Sequence, residues 1–141
     1  MTRPFCLNAI AVAALLAVSP FNAPTAAADD PVCNDEAVKL GEKQFRKCRA
    51  CHKIKDGKNS IGPHLFGIVG RGIADVEEFG YSDAMAAFGK DESKVWDAET
   101  LDRFLASPRK YVKGTKMTFG GFRKEERRKG VICYLKKVGG S

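Results

Sequence analysis

Apolar positions along the chain fall into a few short helical patterns separated by glycine-rich stretches. Val38, Gly41, Phe45 and Cys48 recur at three and four residues, which predicts a helix beginning near Ala37 with one shared face. Pro31 keeps the preceding residues extended, Asn34 suits the cap, and Asp35 and Glu36 suit a helix N-terminus. A short helix is expected over 82–88, capped by Ser82, with Ala84, Met85, Ala87 and Phe88 as apolar members. Another opens after Trp96, capped by Asp97, with Leu101, Phe104 and Leu105 as its stripe; Ser107-Pro108 ends it and 108–112 adds a turn. The last helix, over 124–138, carries Val131, Tyr134, Leu135 and Val138 on one stripe, Cys133 beside that stripe, and Gly139 as its cap. Gly41 and Gly130 would let the first and last helices cross closely. Two stretches have no period. Residues 61–72 alternate glycines with apolar residues and suit a loop over a flat apolar surface, while 114–121 hold Met117 and Phe119 between glycines and must bury them somewhere.

The N-terminus reads differently from all of this. Arg3, an apolar run over 5–18, and Ala26-Ala27-Ala28 form a secretory signal with an A-x-A site, too short in its core to span a bilayer stably. A retained anchor is the alternative, disfavoured by the break at Ser19-Pro20. Cleavage after residue 28 would remove Cys6 and one cation, leaving 113 residues at a formal charge of +6. The expected organisation is therefore a cleaved signal peptide over 1–28, an N-terminal arm over 29–36 and one domain over 37–141, without a membrane span in the mature chain. Export implies an oxidising compartment, the periplasm as the simplest fit, in which Cys33 and Cys133 can pair.

The chemistry is concentrated in Cys48-Arg49-Ala50-Cys51-His52. This C-x-x-C-H spacing is the attachment signature of c-type haem, in which two thiols bind the porphyrin covalently and the histidine coordinates iron. Half a zinc site and a redox dithiol are the rival readings; the first wants a second ligand pair and the second a strand-and-helix alternation, and the sequence offers neither. His64, the other histidine, reads as a loop residue bonded to solvent or backbone. Met117 is the candidate for a sixth iron ligand, since Met85 is explained as helix core.

Over about residues 37–138 the chain resembles the class I c-type cytochromes, close to mitochondrial cytochrome c and its small periplasmic bacterial relatives. The resemblance rests on C-x-x-C-H, Gly62-Pro63, Gly70-Arg71, Tyr81, Trp96, Pro108-Arg109-Lys110-Tyr111, Gly114-Thr115-Lys116-Met117-Thr118-Phe119 and Tyr134-Leu135-Lys136-Lys137, in that order. It implies an all-α fold, with the first and last helices crossing and loops wrapped around one covalently bound haem c. It further implies His52 and Met117 as axial ligands and Pro63 as the residue orienting His52. Arg71, Tyr81, Trp96 and Thr115 fall on the propionate side, and Phe119 lies beside the exposed edge. The chain departs from the family at Phe104, where a tyrosine is common, at Met85, where an asparagine is frequent, and in its arm with Cys33. The first two changes make the iron's surroundings more apolar, which disfavours the oxidised state.

With histidine and methionine both bound, iron has no open position, so the expectation is a non-enzymatic, monomeric electron carrier. Lys47, Arg109, Lys110, Lys113, Lys116 and Lys124 flank the ligand-bearing segments. They would steer the protein to acidic faces of membrane-bound or periplasmic redox proteins, such as a cytochrome bc complex, a terminal oxidase, a reaction centre or a dehydrogenase. Nucleic acid is not an expected partner outside the cytoplasm. The alternative is a haem protein with a labile sixth ligand, acting as peroxidase or gas sensor.

Overall fold

Asn34 starts the first helix by local chemistry: its side chain accepts a hydrogen bond from the Ala37 amide at 2.8 Å. In the computed structural model, which describes residues 33–90 and 94–140, helix α1 then runs Asp35–Phe45. The leader expected over 1–28, with Cys6, lies outside the described residues, as do residues 29–32 of the arm. Ser82 and Asp97 cap α2 (Asp83–Phe88) and α3 (Ala98–Ala106) in the same manner. Ser107 leaves the helical region because Pro108 follows it, and Pro108 then opens α4 (Pro108–Tyr111) from the N1 position. Helix α5 spans Glu125–Gly139. The described residues contain no strand, only an isolated antiparallel bridge between Gly72 and Val95, so the architecture is all-α. No helix among them is long and apolar enough to cross a membrane.

The first and last helices cross with their backbones in contact. A Cβ on Gly41 would collide with the carbonyl oxygen of Gly130, and one on Gly130 would lie 3.0 Å from the Ala37 carbonyl oxygen. Phe45, on the face that Cys48 shares, is 4% exposed and packs into this crossing against Tyr134, ring centroids 5.2 Å apart. Helix α5 also packs against α3, and this second neighbour alters its buried face. Val131, Ile132, Cys133 and Leu135 are buried, whereas Tyr134 and Val138 are only partly so. The apolar face is therefore broader than the single expected stripe and includes Cys133. The cap is also corrected by one residue: Gly139 ends the helix, and Gly140, at φ 76, adopts the left-handed turn and donates to the Lys136 carbonyl.

Two cross-links hold α5 in place. Cys133 is bonded to Cys33 in the arm, across 100 residues of sequence; a disulfide closing so long a loop stabilises by roughly 2–5 kcal/mol. The other was not singled out by the helical pattern. Arg128 forks onto Asp102 of α3, Nε to Oδ1 at 2.8 Å and Nη2 to Oδ2 at 3.1 Å. Its Nη1 donates to the carbonyls of Phe122 and Arg123 at 3.0 and 3.2 Å. The Arg128 side chain is only 12% exposed, so its truncation strands a half-buried carboxylate and two carbonyls. Arg128→Ala is expected to lower the unfolding free energy by about 2–4 kcal/mol, and Arg128→Lys to recover only part of this because lysine has no fork. Urea denaturation of the three proteins checks both.

Candidate functional site

The C-x-x-C-H segment continues directly from α1 as a series of turns. Cys48 N–H donates to the Phe45 carbonyl at 2.8 Å and His52 N–H to the Cys48 carbonyl at 2.9 Å, which places the thiols and the imidazole on successive turns. Both thiols are free. Burial, helped by neighbouring Cys51, pushes the Cys48 thiol up to about 11, so in the folded chain it is protonated at neutral pH. Among the described residues no three His, Cys, Asp or Glu side chains gather as a group able to hold a metal ion. The zinc reading therefore finds no ligand set among the described residues. The redox-dithiol reading finds no strand beside the motif.

His52 is oriented by the loop that follows it. Its Nδ1 lies 2.7 Å from the Pro63 carbonyl; Nδ1–H donates and Nε2 keeps its lone pair. Burial holds the imidazole below its ordinary pKa against the opposing pull of that carbonyl, giving the neutral form that a metal requires. Gly62 lies so close to the ring that any Cβ would collide with it, and its N–H donates to the Cys51 carbonyl at 2.8 Å. A glycine before Pro63 is thus needed for the loop to reach the imidazole.

Across the site a second group of donors converges. Arg71 donates Nη1 to the Phe66 carbonyl at 3.0 Å and Nη2 to the His64 carbonyl at 2.8 Å. Its Nε is buried without any hydrogen-bond partner, a condition that demands an acceptor. The Tyr81 hydroxyl accepts from the Val76 amide at 3.3 Å, and the Thr115 hydroxyl from the Met117 amide at 3.3 Å. Each therefore keeps its own proton to give. Trp96 is buried against Phe104, centroids 4.9 Å apart, and its backbone amide donates to the Arg71 carbonyl at 2.8 Å. His64, expected as a loop residue bonded to solvent or backbone, is buried and has Arg71 Nη1 3.4 Å from its ring Nδ1; no motif marks it.

Met117 and Phe119 are partly buried against the core cluster that contains Met85, Trp96 and Phe104. Their loop is tied down at several points besides the Thr115 bond. Lys116 Nζ donates to the Tyr81 carbonyl at 3.4 Å, Phe122 N–H donates to the Leu105 carbonyl at 2.8 Å, and Phe119 packs edge-on against Phe122 at 4.9 Å. Lys47, Arg109, Lys110, Lys113, Lys116 and Lys124 are all exposed, although Lys47 sits 5.5 Å over the Phe122 ring and Lys124 pairs with Glu126 at 3.6 Å.

These residues fit a covalently held porphyrin with anionic side chains. They provide two free thiols, a neutral imidazole with Nε2 unengaged, an orphan guanidinium N–H and two hydroxyls with protons to donate.

No protein-family model matches the chain. It is 49% identical over 107 residues to the cytochrome c-type cyt cy of Rhodobacter capsulatus, a match covering 75% of this chain and 51% of that protein. It thus spans about half the length of that relative. It is 43% identical over 101 residues to the cytochrome c of Gibberella zeae, covering 70% of this chain and 92% of that one. Among solved structures, cytochrome cH from Methylobacterium extorquens matches with a TM-score of 0.64 at 38% identity, covering 71% of this chain and 97% of that chain.

Proposed function

This chain belongs to the class I c-type cytochromes, and we propose from that premise that it carries single electrons on one covalently bound haem c held between His52 and Met117. The haem supplies a one-electron couple when bound; the protein's part is to hold it, shield it and set its potential. Cys48 and Cys51 anchor it, and Pro63 orients His52 through the carbonyl bond. Arg71, Tyr81, Trp96 and Thr115 face the propionates, with the unpartnered Arg71 Nε as the donor most in need of one. Phe119 flanks the exposed edge.

The observation that carries this reading is the tie-down of the Met117 loop through Thr115, Lys116 and Phe122. A loop held at three points keeps its thioether in place, which closes the sixth position and leaves outer-sphere transfer; a peroxidase or gas sensor needs that loop released. The deciding experiment is the visible spectrum of the holoprotein. The oxidised form is expected to show the sulfur-to-iron charge-transfer band and the reduced form to refuse carbon monoxide. Ready carbon monoxide binding would turn the assignment to the sensor class.

The surroundings of the iron bear on its potential. Phe104 and Met85 are both 7% exposed and bring no hydroxyl or amide to the site. Restoring polarity with Phe104→Tyr or Met85→Asn is expected to lower the midpoint potential, because a polar neighbour stabilises the extra charge of the oxidised state. A redox titration of the two variants reads the sign.

We assign residues 1–28 to a cleaved leader, 29–36 to an arm and 37–141 to the haem domain, and place the mature protein in the periplasm. Its partners are acidic faces of redox complexes, met by the exposed cations on the ligand-bearing segments. Second-order electron-transfer rates are expected to fall several-fold between low and physiological salt, since screening shortens the reach of those cations. A salt-independent rate would remove the docking role.

A further inference from the structure

His64 has no part in the reading above, yet it is among the few buried polar side chains of the described residues, at 8% exposure. Its amide donates to the Asn59 side-chain oxygen at 3.0 Å and its carbonyl accepts from Arg71 Nη2 at 2.8 Å. Its ring Nδ1 lies 3.4 Å from Arg71 Nη1, and its Nε2 lies 3.9 Å from a carboxylate oxygen of exposed Asp56. Neutral His64 can accept from the guanidinium at Nδ1 while directing Nε2–H toward Asp56. The charged and titratable groups facing this pair are Asp56, Asp75 and Tyr81. Arg71 in turn holds the buried, unpartnered Nε assigned above to a propionate.

We propose that His64 takes up a proton from solvent as an electron arrives from the donor and returns it to solvent as the electron leaves, with Arg71 carrying the coupling. The inference rests on the electron-carrier reading and on Arg71 as propionate donor. Its physical basis is linkage: an arriving electron cancels one positive charge near Arg71, so a second cation beside that guanidinium is repelled less, and the proton in turn favours the electron. Burial and then Arg71 lower the imidazole pKa below its ordinary value, while Asp56 and the Phe66 carbonyl oppose them. That balance sets the pH range over which the proton is exchanged.

The test follows the His64 ring protons of the holoprotein by NMR against pH in both redox states, together with the midpoint potential of wild type and His64→Asn. Asparagine keeps an acceptor toward Arg71 and cannot titrate. The expected result is a higher His64 pKa in the ferrous than in the ferric protein, and a potential that rises as pH falls through this range in wild type but stays flat in His64→Asn. Equal pKa values in the two states overturn the proposal even if the variant fails to fold. So does a pH dependence that survives in His64→Asn, which would place the proton on another group. A holoprotein without a reversible one-electron couple overturns the carrier reading itself, and that is visible before any pH is varied.

Discussion

Replacing Met117 by alanine is expected to lower the midpoint potential by a sizeable part of the ~0.8 V range that axial ligands command, and to open the iron to carbon monoxide. Two readings of this half-buried methionine compete, and they differ in what its loss would change. As a packing residue against the core cluster, its truncation would cost about 1–3 kcal/mol of stability and leave the iron's ligand field alone. As the sixth ligand, its loss removes the thioether that favours the ferrous state while the loop keeps most of its anchors. The Thr115 bond is to the Met117 backbone amide, the Lys116 bond is to the Tyr81 carbonyl, and Phe122 is held by Leu105; none needs the methionine side chain. Potentiometry and carbon monoxide titration of Met117→Ala, set beside its urea denaturation, separate the two. A stability loss with an unchanged potential would end the ligand assignment.

Gly41→Val is expected to be the most damaging single substitution in the fold, lowering stability by more than about 4 kcal/mol and sharply reducing the yield of holoprotein. A Cβ at position 41 would run into the backbone of Gly130, both its carbonyl carbon and its oxygen. Backbone cannot rotate away as a side chain would, so α1 and α5 must separate along the crossing. Phe45 and Tyr134, which pack across it, lose their contact in consequence, and the crossing adjoins the turn that carries Cys48. Gly41→Ala should show the same defect in lesser degree. Gly80→Ala is the control, because nothing lies within 4 Å of the position its Cβ would take, and its effect should stay within about 0.5 kcal/mol. Thermal unfolding of the three variants orders them.

Much of this architecture was legible without coordinates, and the legible parts share a property. Asn34, Ser82 and Asp97 each cap a helix through an amide three residues ahead, and Pro108 both ends one helix and begins the next. Those are contacts between near neighbours in the chain, where residue type and spacing leave little freedom. Gly41 and Gly130 were readable for another reason: a glycine inside a helix is costly unless another backbone must approach. The error in the last helix arose where this logic stops. A single stripe was expected, but packing against both α1 and α3 buries Ile132 and Cys133 as well, and the cap moved from Gly139 to Gly140.

By itself the sequence determined the helices, the N-terminal caps at Asn34, Ser82 and Asp97, the C-x-x-C-H motif and the loops that must bury apolar side chains, because each follows from chemistry spanning a few residues. Only the tertiary structure decided that Cys133 meets Cys33, that Arg128 grips Asp102, and that His64 lies buried beside Arg71 with one guanidinium nitrogen left over. Each of those depends on which face an element turns toward another. That choice is made by the whole core at once, from contacts whose partners lie far apart along the chain.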